Sequence, residues 1–261
     1  MDEDIEQNNK ALVAIIQQTI PTCKMLRQKM LDYCDVPDKS HLFNVLMDLI
    51  RRTECNLYSS AILARESLKM GSSTYYKLPL GLLVRNCTID CILALYLSSI
   101  PEAEAEEEIA IMNKDYVKAL YDQKPVYIDR LKNSGIDPGL ATWYESLIED
   151  NFNRYLKINI DENAFSFSPL SNKEIRKTSA ISGSLTIDKQ FKYLKENSDV
   201  SELSEQVYGY YKYLSQYQHF SENSYGDMLA PYFQDNVSFP EAIKSINRSV
   251  DYILNKVFGE N

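Results

Sequence analysis

The sequence predicts an all-α protein, a single irregular bundle of about eight helices formed by residues 1–261. Three observations support this fold class. Apolar residues recur at the 3.6-residue period of a helix along most of the chain. Residues that cap helices precede several of these apolar stretches. Only 8 glycines occur among 261 residues, about half the usual share, so the tight turns of β-hairpins are scarce.

Two helical regions are predicted in the first 70 residues. Apolar residues are spaced as in a helix from Ile5 to Tyr33, and Pro21 interrupts this region, which indicates one kinked helix or two in line. Asp38 and Ser40 offer N-caps to the next helix, which is expected from Leu42 to Met70.

The next region is the most apolar of the chain and is expected to form the core helix. It runs from Leu82 to Ile100 and is apolar on nearly all sides, with Pro79 tolerable only in the first turns. The most apolar window, from Leu78 to Leu97, has the length of a membrane span, but Arg85 and Asp90 are costly in hydrocarbon. We therefore expect a buried helix and no membrane association.

The remaining helices are predicted from caps and apolar stripes. Their expected starts follow Pro101 or lie at Asp137, Ser171, Ile187, Val200 and Ser238. The helix from Val200 is expected to reach Phe220. The last helix is expected to begin with a capping box of Ser238 and Glu241, with Pro240 in its first turn. Residues 159–187 are the least regular, so any internal boundary or mobile loop is expected there.

Charge and cysteine content restrict the partners and the compartment. The chain has 37 Asp and Glu against 28 Lys and Arg, a formal net charge of −9, which opposes binding to nucleic acid or anionic lipid. Its start, Met1-Asp2-Glu3-Asp4, lacks the positive region of an export signal, and its five cysteines contain no close CxxC pair. We expect a cytoplasmic protein with reduced thiols.

Motifs of the common enzyme classes are missing from the sequence. The chain has two histidines, and neither belongs to the E-x-x-H pairs of a di-metal bundle or to an H-E-x-x-H motif. No Walker loop, G-x-G-x-x-G or G-x-S-x-G occurs. The sequence therefore predicts no metal site and no cofactor.

A tyrosine-rich segment near the C-terminus is the strongest candidate for a site. Tyr211, Ser215 and His219 follow one another at steps of four, which places a phenol, a hydroxyl and an imidazole on one face of a helix. Tyrosines on another face of the same segment suggest the alternative of a packing seam. With Arg85 and Asp90 of the core helix, these three residues form the candidate binding pocket.

The same residues carry a resemblance to known families. The pattern Tyr211-x-x-Leu214-Ser215-x-x-x-His219 followed by Ser221, and the earlier Leu82-Leu83-Val84-Arg85 with Asp90, resemble uncharacterised bacterial all-α families of unknown function. In those families an acid follows the Arg by one turn, whereas Asp90 follows Arg85 by five residues. The resemblance implies a helical fold and an Arg–Tyr–His neighbourhood.

Those families are in turn similar to the HEPN helical domains, many of which are RNases with an R-x(4–6)-H motif. Lys212 stands where that motif would have its Arg before His219, and Lys lacks the planar fork with which Arg holds phosphate. The resemblance thus implies a degenerate motif.

Two functions follow from these observations. The leading expectation is a non-enzymatic cytoplasmic protein that binds a protein partner or small ligand at a pocket near Arg85, Tyr211 and His219. The alternative is a HEPN-like RNase of a toxin or antiphage defence system. A homo-oligomer is compatible with either function.

Overall fold

The structure confirms the all-α fold class. The computed structural model describes residues 2–34, 40–70, 77–133, 135, 139–147, 150, 185–218 and 233–259, and these residues contain no β-strand. The helices are α1 (Asp2–Cys34), α2 (His41–Met70), α3 (Lys77–Ser99), α4 (Glu102–Asn133), α5 (139–147), α6 (Ile187–Asn197), α7 (Ser201–Leu214) and α8 (Phe233–Phe258), with a 3-10 turn at Ser215–Tyr217.

Backbone contacts divide the chain into two compact units. The first unit consists of Met1–Glu102 and Thr186–Asn261, and the second is Ala103–Leu185. The expected single domain stays a prediction. So does the expected boundary or mobile loop at 159–187, since residues 159–184 lie outside the described part of the chain.

Helix α3 is the core helix of the first unit, as its composition predicts. It packs against α2, α6, α7 and α8, while α1 packs on α2 and α8. Its length and apolar content would allow it to cross a membrane, but 67% of its most apolar window is buried inside the protein. Leu80, Val84, Leu95 and Leu97 are completely buried. The apolar composition of α3 thus serves packing between helices.

Local caps determine where two of the predicted helices begin. The Phe43 amide donates to the Ser40 hydroxyl at 3.2 Å just before α2, and the Lys189 amide donates to Thr186 Oγ1 at 3.4 Å before α6. Each cap satisfies an amide that has no partner within its helix. The expected second cap of α2, Asp38, lies outside the described residues.

The structure decides between the alternatives at Pro21 and corrects one predicted helix start. Helix α1 continues through Pro21 as a single helix, which agrees with the expectation of one helix rather than two in line. The capping box predicted at Ser238 is wrong, because α8 already begins at Phe233 and contains Pro240. Tertiary packing overrides the local signal there, since Phe239 and Pro240 are both buried and burial offsets a missing helical hydrogen bond.

The end of α7 also differs from the prediction. The α-helix was expected to reach Phe220, but it ends at Leu214, and Ser215–Tyr217 form a 3-10 turn. The Gln218 amide donates to the Ser215 carbonyl at 3.1 Å, which closes that turn. Ser215 therefore lies beyond the α-helix rather than on one of its faces.

Candidate functional site

Three of the residues predicted to form a site lie together in the structure: Arg85, Tyr211 and Ser215. Arg85 is half-buried in α3, and its Nε donates a hydrogen bond to Ser215 Oγ at 3.2 Å. The guanidinium carbon lies 5.2 Å from the ring centroid of Tyr211. Ser215 Oγ in turn donates to the Tyr211 carbonyl at 2.7 Å. The hydroxyl and the ring thereby orient the guanidinium from two sides.

A close approach between two helical segments places Ser215 beside Arg85. A Cβ atom on Gly81 would lie 2.5 to 2.8 Å from ring atoms of Tyr217, so only glycine permits this contact. Gly81 is one turn before Arg85 on the same face of α3. Tyr217 is 4% exposed, and its ring packs against Phe239 at 5.7 Å. The buried ring thus anchors the 3-10 turn against α3.

A second group of side chains extends this site toward α6. Tyr208 donates to Asp188 Oδ1 at 2.7 Å, and Lys212 Nζ lies 3.0 Å from the same oxygen. The Phe191 ring stacks on Tyr208 with centroids 3.8 Å apart. Tyr208 belongs to the tyrosine-rich segment, but the sequence contains no signal that would pair it with Asp188. Sequence analysis therefore missed this carboxylate.

The two cations of the site have different partners. Hydrogen bonds from Tyr208 and Lys212 lower the pKa of Asp188, and the bond to Asp188 raises the pKa of Lys212. Both groups are therefore charged at neutral pH. By contrast, no carboxylate among the described residues pairs with Arg85, and its two Nη groups make no hydrogen bond to those residues.

Asp90 pairs with a residue of α2 and not with Arg85, so its inclusion in the candidate pocket stays a prediction. It follows Arg85 by five residues, which turns it about 140° around the helix axis. Its Oδ1 lies 3.1 Å from Arg52 Nη2 of α2. Asp90 is 2% exposed, and burial raises the pKa of its carboxyl to about 6, opposed by the nearby Arg52.

The remaining predicted site residue, His219, lies outside the described residues. Within the described ranges, no group of three or more His, Cys, Asp and Glu side chains is placed to hold a metal ion. The group of this site that can bind a ligand is the outer edge of the Arg85 guanidinium, formed by its two Nη groups. Its planar pair of Nη groups suits a carboxylate or a phosphate.

Comparison of the chain with protein families, curated proteins and solved structures found no match.

Proposed function

We propose that the protein is a non-enzymatic binding protein that recognises an anionic group at Arg85, carried by a small ligand or a partner protein. The observation that carries this proposal is the half-buried guanidinium, which Ser215 and Tyr211 orient and which no carboxylate of the described residues neutralises. The cytoplasmic location expected from the sequence, and the bacterial origin implied by the resemblance to bacterial families, are part of the same proposal.

Two physical arguments support an anion as the ligand. A partly buried charge loses hydration, so proteins usually pair it with an opposite charge or strong acceptors. The Nε of Arg85 is bound to Ser215, which leaves the two Nη groups to bind a planar or tetrahedral anion with two hydrogen bonds. The oriented guanidinium would lose little further freedom on binding.

The ribonuclease alternative stays a hypothesis and has less support. Lys212 would have to bind the phosphate of the RNA, but Lys lacks the planar guanidinium with which Arg makes two hydrogen bonds to a phosphate. The net charge of −9 also repels a polyanion more than it repels a single small anion.

The proposal is tested by titrating the protein with inorganic phosphate and, separately, with acetate. Binding is followed by NMR through the Arg85 Nε–H resonance and through the backbone amide resonance of Ser215, which is present in every variant. We expect a saturable shift with at least one of the two anions. Arg85→Lys keeps the charge but loses the planar fork, so affinity should fall by about tenfold. The exposed Arg51 of α2 provides the matched control, and Arg51→Lys should bind like the wild type.

Equal anion affinity in the wild type and in Arg85→Lys, with both proteins folded by circular dichroism, would contradict the proposal.

A further inference from the structure

Two cations lie against one aromatic ring in this site. Arg85 Cζ is 5.2 Å and Lys212 Nζ is 5.7 Å from the ring centroid of Tyr211. Arg85 has no carboxylate partner among the described residues, whereas Lys212 is paired with Asp188. Both cations of the site thus lie within 6 Å of the centre of one ring. One of them is available to an anion, and a carboxylate holds the other.

We propose that Lys212 is the second cation of the Arg85 site, that Asp188 competes with the ligand for it, and that the ligand carries a doubly charged phosphate group. This inference rests on the proposed function, because it assumes that Arg85 binds the anion. It adds the chemical class of the ligand and names Lys212 and Asp188 as the residues that determine the affinity.

The exposure of the ion pair allows this exchange. The side chains of Lys212 and Asp188 are 53% and 61% exposed, and ion pairs so open to water contribute little net free energy. The ammonium sits on a flexible four-carbon stem, so it can turn from Asp188 to an anion near Tyr211. Tyr208 continues to donate to Asp188 after the exchange, so the carboxylate keeps one partner.

The charge count favours phosphate over carboxylate. A carboxylate carries one negative charge and is satisfied by the fork of Arg85 alone. A phosphate group carries nearly two charges and has three acceptor oxygens, so it gains from a second cation. A point charge on a mobile stem, such as that of Lys212, complements the planar fork in binding a tetrahedral anion.

Asp188→Asn tests the competition directly, because it removes the charge and keeps the side-chain oxygen to which Tyr208 donates. Inorganic phosphate is titrated at about pH 8, where it is mostly doubly charged, and the Arg85 Nε–H resonance reports binding. We expect phosphate affinity to rise by about threefold, the size of a surface ion pair. The affinity of Asp188→Asn for acetate should rise by a smaller factor than its affinity for phosphate.

Glu202→Gln is the matched control for Asp188→Asn. Glu202 is the acid in the first turn of α7, as Asp188 is in α6, and it contacts Gln206 rather than a cation. The control removes the same charge from the protein without releasing Lys212. Lys212→Met forms the third arm and should lower the affinity for phosphate by a larger factor than it lowers the affinity for acetate.

The outcomes separate the two proposals. The inference is supported if Asp188→Asn binds phosphate more tightly than Glu202→Gln does. This gain in affinity must also disappear in the double variant Asp188→Asn/Lys212→Met. Phosphate binding that depends on Arg85 but is equal in Asp188→Asn and Glu202→Gln overturns the inference and leaves the proposed function standing. Absence of Arg85-dependent binding in both the wild type and Asp188→Asn overturns both.

Discussion

Asp90 shows how one buried side chain makes stability depend on pH. Its carboxyl is 2% exposed and its Oδ1 contacts Arg52. Its buried Oδ2 has no hydrogen-bond partner among the residues that the structure describes. Burial disfavours the charged form more than Arg52 favours it, so the pKa rises to about 6. In the unfolded chain the pKa returns to the ordinary aspartate value of about 4.

The sign of the effect follows from proton binding. Between about pH 4 and pH 6 the folded state holds a proton at Asp90 that the unfolded state has lost, so stability falls as pH rises through this range. We expect Asp90→Asn to remove this dependence. Relative to the wild type, its free energy of unfolding should rise on the order of 2 kcal/mol between pH 4 and pH 7.

Urea unfolding of both proteins across that pH range measures the difference. Asp32→Asn, which alters an exposed carboxylate of α1, controls for charge removal alone. A difference between wild type and Asp90→Asn that is constant with pH would refute the assignment.

Gly81 and Gly209 provide a second contrast between single residues. Both lie in α-helices, where alanine is favoured over glycine by up to about 1 kcal/mol. At Gly209 a new Cβ would meet no atom of the described residues within 4 Å, whereas at Gly81 it would overlap the Tyr217 ring at 2.5 Å. Tyr217 is buried against Phe239 and has little room to move.

We therefore expect Gly209→Ala to stabilise the protein by about 0.5–1 kcal/mol and Gly81→Ala to destabilise it by about 1–3 kcal/mol. Thermal or urea unfolding of the two variants measures both effects. Stabilisation by both substitutions would show that Tyr217 does not pack on Gly81. Because Tyr217 anchors the turn that carries Ser215, Gly81→Ala should also shift the Arg85 Nε–H resonance.

Contacts of single residues also differ in how far the sequence predicts them. The sequence predicts Arg85, Tyr211 and Ser215 as members of one candidate pocket. The hydrogen bond between Arg85 and Ser215 does not follow from local spacing, because 130 residues separate the two. The partner of Asp90, Arg52, is also not predictable from spacing, because spacing gives the face of a helix and not the helix that covers it.

At the scale of elements, helix ends are predictable when neighbouring residues decide them. The start of α2 after Ser40 and that of α6 after Thr186 depend on local caps, and the start of α2 was expected from its cap. The end of α7 at Leu214 and the start of α8 at Phe233 were not foreseen. Tyr217, which follows the end of α7, contacts Gly81 of α3 and Phe239 of α8. Contacts between residues so far apart in the sequence cannot be predicted from a local pattern.

Two prolines test the energetics of these helices. Pro21 lies inside α1, where it removes the hydrogen bond to the Gln17 carbonyl, whereas Pro79 lies in the first turn of α3, where amides have no helical partner. We expect Pro21→Ala to raise the free energy of unfolding by about 1–3 kcal/mol. Pro79→Ala should lower it by about 0.5 kcal/mol, since the unfolded chain gains freedom.

Chemical unfolding of the two variants measures whether their changes in the free energy of unfolding have opposite signs. Destabilisation by Pro21→Ala as well would mean that the packing of α1 on α2 and α8 depends on the shape that Pro21 imposes.

At the scale of the whole molecule, net charge and local charge point in opposite directions. The chain carries −9, yet its candidate site presents Arg85 and Lys212 to the same ring. A small anion responds mainly to the two nearby cations, whereas a long polyanion also meets the field of the whole protein. The molecule as a whole is therefore better suited to a single phosphate group than to RNA.

The repulsion of a polyanion by the net negative charge also bears on the ribonuclease alternative. Metal-independent cleavage would need a proton-transferring imidazole, for which His219 is the sequence candidate, beside a phosphate-binding cation. Lys212 is the sequence candidate for that cation, but it lacks the planar guanidinium with which Arg binds phosphate. We expect no cleavage of a labelled single-stranded RNA on denaturing gels in low salt and EDTA. A general acid or base contributes about 10² to 10⁴ in rate, so its loss would be easily seen. Cleavage by the wild type would establish the ribonuclease instead if it disappears in both His219→Ala and Lys212→Ala while both variants stay folded.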